Sequence, residues 1–241
     1  KRTGLSPLFI GATIISFGTS VPELFTSVNA NLSGYPGIAL GNVLGSNVAN
    51  ILLVLGATAF VFTVTANPKH LAKDLAMMLV ATAILAFGTL TDSFSRSFGL
   101  GMFAILVTFV FYQYKTDSLP LDDDDDAEAA PMIATMNGAV LMLLGGVGAL
   151  AIGSELLVKG AVQTGTALGV PEAVIGLTVV AFGTSLPELS TCIAAARKQP
   201  VGLILGNIIG SNTFNILSII ALTAAIKPLA VDPVLLGMEL W

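Results

Sequence analysis

Residues 16–25 read SFGTSVPELF and residues 181–190 read AFGTSLPELS. Glu188 stands 165 positions after Glu23, and Gly206 stands 165 positions after Gly41. Between 11–52 and 176–217 about half the positions are identical, and no gap is needed to align them. This duplication constrains the fold first, because both copies must take the same local structure. Each copy also sets a proline and a glutamate side by side in an otherwise apolar run. Proline has no N–H, and its ring clashes with the carbonyl four residues back. The helix therefore opens at Pro22 and Pro187, and carbonyls near Gly18, Thr19, Gly183 and Thr184 can turn away from the helical ladder.

Composition decides the solvent. Hydrophobic residues make up 54% of the 241, charged residues 10%, and mean hydropathy is +0.89. A soluble domain carries about 25% charged residues, so the chain reads as an all-α, multi-pass integral membrane protein. A bilayer core about 30 Å thick needs roughly 20 apolar residues per helix. Seven stretches qualify or nearly so: 5–28, 37–62, 71–90, 97–113, 132–158, 169–195 and 201–226, with an eighth starting near Val234. Positive charge orients them. Lys1, Arg2, Lys69, Lys73, Lys115, Arg197 and Lys198 fall on one side, and Arg96, Lys159 and Lys227 on the other. The first group is assigned to the cytoplasm, together with the DDDDD run at 122–126. The two copies begin at the first and sixth stretches, five crossings apart, so they enter the membrane from opposite faces. An inverted repeat with interrupted helices is the architecture of secondary transporters. The expected division is a first repeat over 1–113, an acidic cytoplasmic loop over 114–131 and a second repeat over 132–241.

Exposed carbonyls at membrane depth are tolerated only when buried in protein or lining a polar cavity. Here they come with hydroxyl pairs, Thr19 with Ser20 and Thr184 with Ser185, and with the carboxylates of Glu23 and Glu188. Carbonyl, hydroxyl and carboxylate oxygens are the ligand set of a hard cation such as calcium. No His or Cys accompanies them, which argues against zinc or copper. Intramembrane carboxylates are costly and mark ion or proton pathways. The partner segments read GNVLGSNVANILL (41–53) and GNIIGSNTFNILS (206–218). Asn42, Ser46 and Asn50 recur every fourth residue and share one helix face, as do Asn207, Ser211 and Asn215. Such stripes either glue helices together or complete a cation cage, and the cage is the favoured reading. Gly41, Gly45, Gly206 and Gly210 allow close helix approach. Two glutamates balance one calcium ion, two sodium ions or two protons, so one site can exchange them in turn.

At these residues the chain resembles the sodium/calcium exchanger family of the calcium/cation antiporter superfamily, in a prokaryotic-type form. GTSVPE, GTSLPE, GNVLGSN and GNIIGSN match its two signature repeats. The resemblance spans roughly 4–62 and 169–228 by motif. It implies ten helices, five per repeat, so that the seven or eight present here lack the first, most of the ninth and the tenth. It implies that Glu23 and Glu188 bind calcium with the carbonyls of Thr19 and Thr184. Sodium sites would use Ser16, Thr19, Ser20 and Ser46 in one half. In the other they would use the Ala181 carbonyl, Thr184, Ser185 and Ser211. Asn50 and Asn215 would face the centre. Asn at 215, where the potassium-dependent branch has Asp, leans against potassium coupling, and the GTS phrase favours sodium over protons as counter-ion. The implied activity is calcium-for-sodium antiport by alternating access in a plasma (inner) membrane, with calcium and sodium as cargo and no cofactor. Alternatives are a proton- or other-cation-coupled antiporter on the same scaffold, or a passive cation channel.

Other features carry less. Cys192 reads as a small packing residue, His70 as a solvated loop residue beside Lys69, and Glu155 with Lys159 as a pair at a helix end. The Asp run reads as a solvated loop, since it lacks the spaced ligands and glycine of an EF-hand. Trp241 suits an interfacial anchor. A start at Lys1 and a stop at MELW read as a piece of a longer membrane protein. No nucleophile–base constellation is visible, so an enzyme is not expected. Nor is a nucleic-acid partner, and a monomer in the lipid bilayer is expected.

Overall fold

The computed structural model describes residues 7–64, 68–91, 93–116, 136–197, 201–232 and 234–235. Helix α1 (Leu8–Thr19) and helix α2 (Val21–Leu32) form a pair bent by 41°. Then follow α3 (Pro36–Val61), α4 (Pro68–Leu90), α5 (Arg96–Thr116), α6 (Met136–Leu168), α7 (Glu172–Ala196) and α8 (Val201–Ile226). Helices α3, α4, α5, α7 and α8 are each long and apolar enough to cross a bilayer, and the bent pair makes six. Helix α6 has 33 residues, about 50 Å at 1.5 Å per residue, so its length allows a seventh crossing.

The order matches the seven apolar stretches, with two adjustments. Helix α4 begins at Pro68, where proline suits the first helical position, so Lys69 and His70 sit in its first turn rather than in a loop. Helix α6 continues to Leu168, so Glu155 and Lys159 lie within it and not at its end. They do pair, at 2.6 Å, on an exposed face. The Asp122–Asp126 run and Trp241 lie outside the described residues.

Burial ranks the helices. In its most apolar window α8 is 89% inside the structure and α3 56%, against 22% for α4 and for α5. Helix α8 is therefore central, and α4 and α5 present apolar surface outward, with Leu79 66% and Leu100 60% exposed. Contiguous apolar surface of that kind suits lipid, not water.

Each copy of the repeat grips the other. The first half of α7 packs on α3, and α1 packs on α8. Close approach requires glycine: a Cβ on Gly45 would stand 2.1 Å from the Leu177 carbonyl oxygen, and one on Gly210 2.4 Å from that of Ala12. Residue 177 is 165 positions after 12, so the two contacts are counterparts. Helix α2 packs on α3 and α6, while α4 and α5 pack on α8.

At one end, strands β1 (Ser93–Phe94) and β2 (Leu229–Ala230) form an antiparallel ladder, Ser93 opposite Ala230 and Phe94 opposite Leu229. Nearby the Lys227 ammonium donates to the Asn31 carbonyl and the Asn31 amide to the Lys227 carbonyl, both at 2.8 Å. The turns after α2, α4 and α8 thus meet at one end, as the alternation of apolar stretches requires. The ladder itself has no sequence signal beyond an ordinary loop.

Candidate cation site

The breaks come first. Ser20 (φ −85°, ψ 4°) and Ser185 (φ −83°, ψ 2°) leave the helical conformation. A new helix then starts at Val21 and at Leu186, with Pro22 and Pro187 in its first turn. The Ser20 N–H still reaches the Ser16 carbonyl at 3.0 Å, and the Ser185 N–H the Ala181 carbonyl at 3.0 Å. Pro22 and Pro187 offer no N–H to Gly18 and Gly183, as the proline argument requires. Glu23 and Glu188 fall in the first turn after each break.

Both glutamates are fully buried. The hydroxyls beside each carboxylate come from the other copy, Thr184 and Ser185 for Glu23 and Thr19 and Ser20 for Glu188, and none of them completes a hydrogen bond to Glu23. The Ser20 hydroxyl donates to Glu188 Oε1 at 3.4 Å. Glu23 Oε1 and Oε2, Glu188 Oε2 and Ser185 Oγ have no hydrogen-bond partner. A buried charge left so unpaired costs several kcal/mol, which makes this constellation expensive unless something positive shares it.

The partner stripes reach the same hydroxyls. Ser46 Oγ lies 3.3 Å from Thr184 Oγ1, and Ser211 Oγ lies 3.4 Å from Thr19 Oγ1. Thr184 donates to Asn42 Oδ1 at 3.0 Å, whereas Asn207 Nδ2 donates to Thr19 at 3.3 Å. The two amides are turned oppositely because their outer neighbours differ. Asn42 Nδ2 donates to the Ser27 hydroxyl at 3.0 Å, but the thiol of Cys192, the counterpart of Ser27, donates to Asn207 Oδ1 at 3.4 Å. The Ser16 hydroxyl lies 2.7 Å from the Gly11 carbonyl and 3.0 Å from that of Asn207, so its proton goes to backbone. The Ala181 carbonyl receives the Thr184 hydroxyl at 3.2 Å as well as the Ser185 N–H.

Asn50 and Asn215 are also fully buried, and their amides cross the interface. Asn50 Nδ2 donates to Asn212 Oδ1, and Asn215 Nδ2 to Asn47 Oδ1, both at 3.0 Å. Asn47 and Asn212 escaped the sequence reading, since they lie one residue off the every-fourth stripe. The signal was there, as GSN is identical in both copies. Equally silent were four π-helical turns, Gly11–Ile15, Asn50–Leu55, Gly176–Val180 and Asn215–Ile220, the last two repeating the first two at the spacing of 165. Such turns are rare and concentrate at functional sites. Here they end just before Ser16 and Ala181 and begin at Asn50 and Asn215.

The structure therefore brings together Glu23, Glu188, Thr19, Thr184, Ser20, Ser185, Ser46 and Ser211, with Asn50 and Asn215 joined to them through α3 and α8. Among the described residues no group of three or more His, Cys, Asp or Glu is placed to hold a metal ion. Two carboxylates surrounded by neutral oxygens are what this arrangement offers, a donor set for hard cations.

The family profile of the sodium/calcium exchanger proteins matches residues 1–115 and 138–241. The sodium/calcium exchanger MaX1 of Methanosarcina acetivorans is 30% identical over 268 residues, covering 96% of this chain and 77% of that protein. The inner membrane protein YrbG of Escherichia coli is 34% identical over 245 residues, covering 97% and 74%. Among solved structures, the sodium-calcium exchanger NCX_Mj soaked with sodium and calcium superposes with a TM-score of 0.69 at 32% identity, over 97% of this chain and 75% of that one. By profile, by sequence and by structure, this chain belongs to the sodium/calcium exchanger family.

Proposed function

We propose that the protein exchanges calcium for sodium across a prokaryotic plasma (inner) membrane by alternating access, both ions sharing one site built on Glu23 and Glu188. The observation that carries this reading is the pair of fully buried glutamates with unpartnered oxygens, each faced by the hydroxyls of the opposite copy. Two carboxylates cannot remain charged in a low-dielectric interior without cations. One calcium ion or two sodium ions satisfy the same charge, and competition for it is what couples the two fluxes. The carbonyls of Thr19 and Thr184 complete the calcium shell. Sodium uses the oxygens of Ser16, Thr19, Ser20 and Ser46, and those of Ala181, Thr184, Ser185 and Ser211. Asn50 and Asn215 close the centre.

The repeats, 1–113 and 132–241, stand in inverted orientation; α5 carries the first of them three residues further, to Thr116. That symmetry gives the exchanger two equivalent ways to face its site outward, one for each membrane side. The contacts that recur at the 165-residue spacing support this. A monomer suffices, since both glutamates come from one chain.

The test is calcium-45 uptake into vesicles containing the full-length protein, with an imposed sodium gradient, comparing Glu188→Gln. Uptake should require outward-directed sodium movement and vanish in the variant. Uptake driven equally by a proton gradient would assign proton coupling instead, and uptake indifferent to every counter-ion gradient would overturn antiport.

A further inference from the structure

Asparagine presents two nearly isosteric ends of opposite character: Nδ2 donates two protons and Oδ1 only accepts. Whichever end faces a buried cation decides whether the residue attracts or repels it. The outward bond of the amide settles the choice. In this protein Asn50 spends Nδ2 on Asn212 Oδ1 and Asn215 spends Nδ2 on Asn47 Oδ1, each at 3.0 Å. What remains is Oδ1 of Asn50 and Oδ1 of Asn215, both buried and without a hydrogen-bond partner. The orienting residues are themselves held. Asn47 Nδ2 donates to the Asn212 carbonyl at 3.4 Å, and Asn212 Nδ2 lies 3.8 Å from the sulfur of Met78 on α4.

We infer that Asn47 and Asn212 are positioning residues that hold the amides of Asn215 and Asn50 with the carbonyl oxygen, not the NH2 group, available to the transported cation. Each bond runs between α3 and α8, so each copy of the repeat orients the amide of the other. The inference rests on the proposed membership of Asn50 and Asn215 in the cation site. Partners that orient metal ligands typically change affinity by about 10–100-fold when removed.

The test uses calcium-45 uptake by the full-length protein in vesicles, measuring the calcium concentration for half-maximal uptake. In Asn47→Ala the Asn215 amide loses its acceptor and is free to turn, and that concentration should rise by about 10-fold or more. In Asn47→Asp an oxygen acceptor remains at the same place, and most of the shift should be recovered. In an Asn215→Asp background both ends of the side chain are oxygens, orientation no longer matters, and adding Asn47→Ala should shift the concentration less than about twofold. An equal shift in both backgrounds would show that Asn47 acts by packing and would overturn the inference. So would an Asn47→Asp variant as impaired as Asn47→Ala. If Asn47→Ala does not fold, the mirror cycle of Asn212→Ala with Asn50→Asp decides by the same criteria. Glu188→Gln separates the two levels. If it transports normally, the shared-site reading itself fails. If it is inactive while Asn47→Ala keeps the parent calcium requirement, only the orienting role is refuted.

Discussion

Adding one methyl group at Gly45 should separate the two halves of the site. A Cβ there would lie 2.1 Å from the Leu177 carbonyl oxygen and 2.6 Å from the Ala181 Cβ. Neither neighbour is the far end of a flexible side chain, so the strain falls on the helices themselves. Restoring ordinary contact requires α3 and α7 to part by about an ångström, in an interior packed as densely as an organic crystal. Overpacking of this kind costs about 1–3 kcal/mol. Two hydrogen bonds span the same seam, Thr184 to Asn42 at 3.0 Å and Ser46 with Thr184 at 3.3 Å. An ångström of separation takes both past hydrogen-bonding range. Gly45→Ala should therefore lower the melting temperature of the purified protein, by about 2–4 °C per kcal/mol for a chain of this size. It should also depress sodium-driven calcium uptake more than the stability loss alone explains. Gly210→Ala should do the same across α8 and α1. Gly101→Ala, where a Cβ meets nothing within 4 Å, is the control and should be neutral or stabilising by up to about 1 kcal/mol. A Gly45→Ala protein that melts within a degree of the parent and transports normally would refute the interlock.

Phe94 is fully buried at the end of the short ladder, with its ring against Gly88; Phe94→Ala should cost about 3–5 kcal/mol in thermal unfolding. Cys192 is fully buried, so a maleimide should label it only after denaturation, as mass spectrometry would read. Ser27 makes the corresponding contact in the other copy with the amide turned the other way, so Cys192→Ser should fold within about 1 kcal/mol of the parent in stability. The Glu155–Lys159 pair is exposed on both sides, so Glu155→Gln should leave the melting temperature of the purified protein unchanged.

Much of this was legible in the residues. Apolar run length fixes which segments can cross a bilayer, and the helices begin and end within a few residues of those runs, apart from the extension of α6 to Leu168. Proline chemistry put the breaks at Pro22 and Pro187, and the structure has them two residues earlier, at Ser20 and Ser185. The doubled carboxylate and the stripes on α3 and α8 named the residues that converge. The exceptions were Asn47 and Asn212, which an every-fourth count steps over although their identity in both copies marks them.

What the chain alone determined, then, is local: hydropathy, the helix-breaking phrase, the duplication and the oxygen-rich residue types. What only the tertiary structure decided is which copy serves which. Thr184 and Ser185 attend Glu23, Thr19 and Ser20 attend Glu188, and the amides of Asn50 and Asn215 are set from the opposite helix. These contacts join residues well over a hundred positions apart, where no local periodicity constrains the pairing. They follow instead from glycine surfaces that let α3 and α7, and α1 and α8, approach until one copy's hydroxyls enter the other's site. The π turns belong to the same category. A π turn widens the helix without demanding a residue type of its own, so its place is set by the packing around Ser16, Asn50, Ala181 and Asn215 and by nothing readable along the chain.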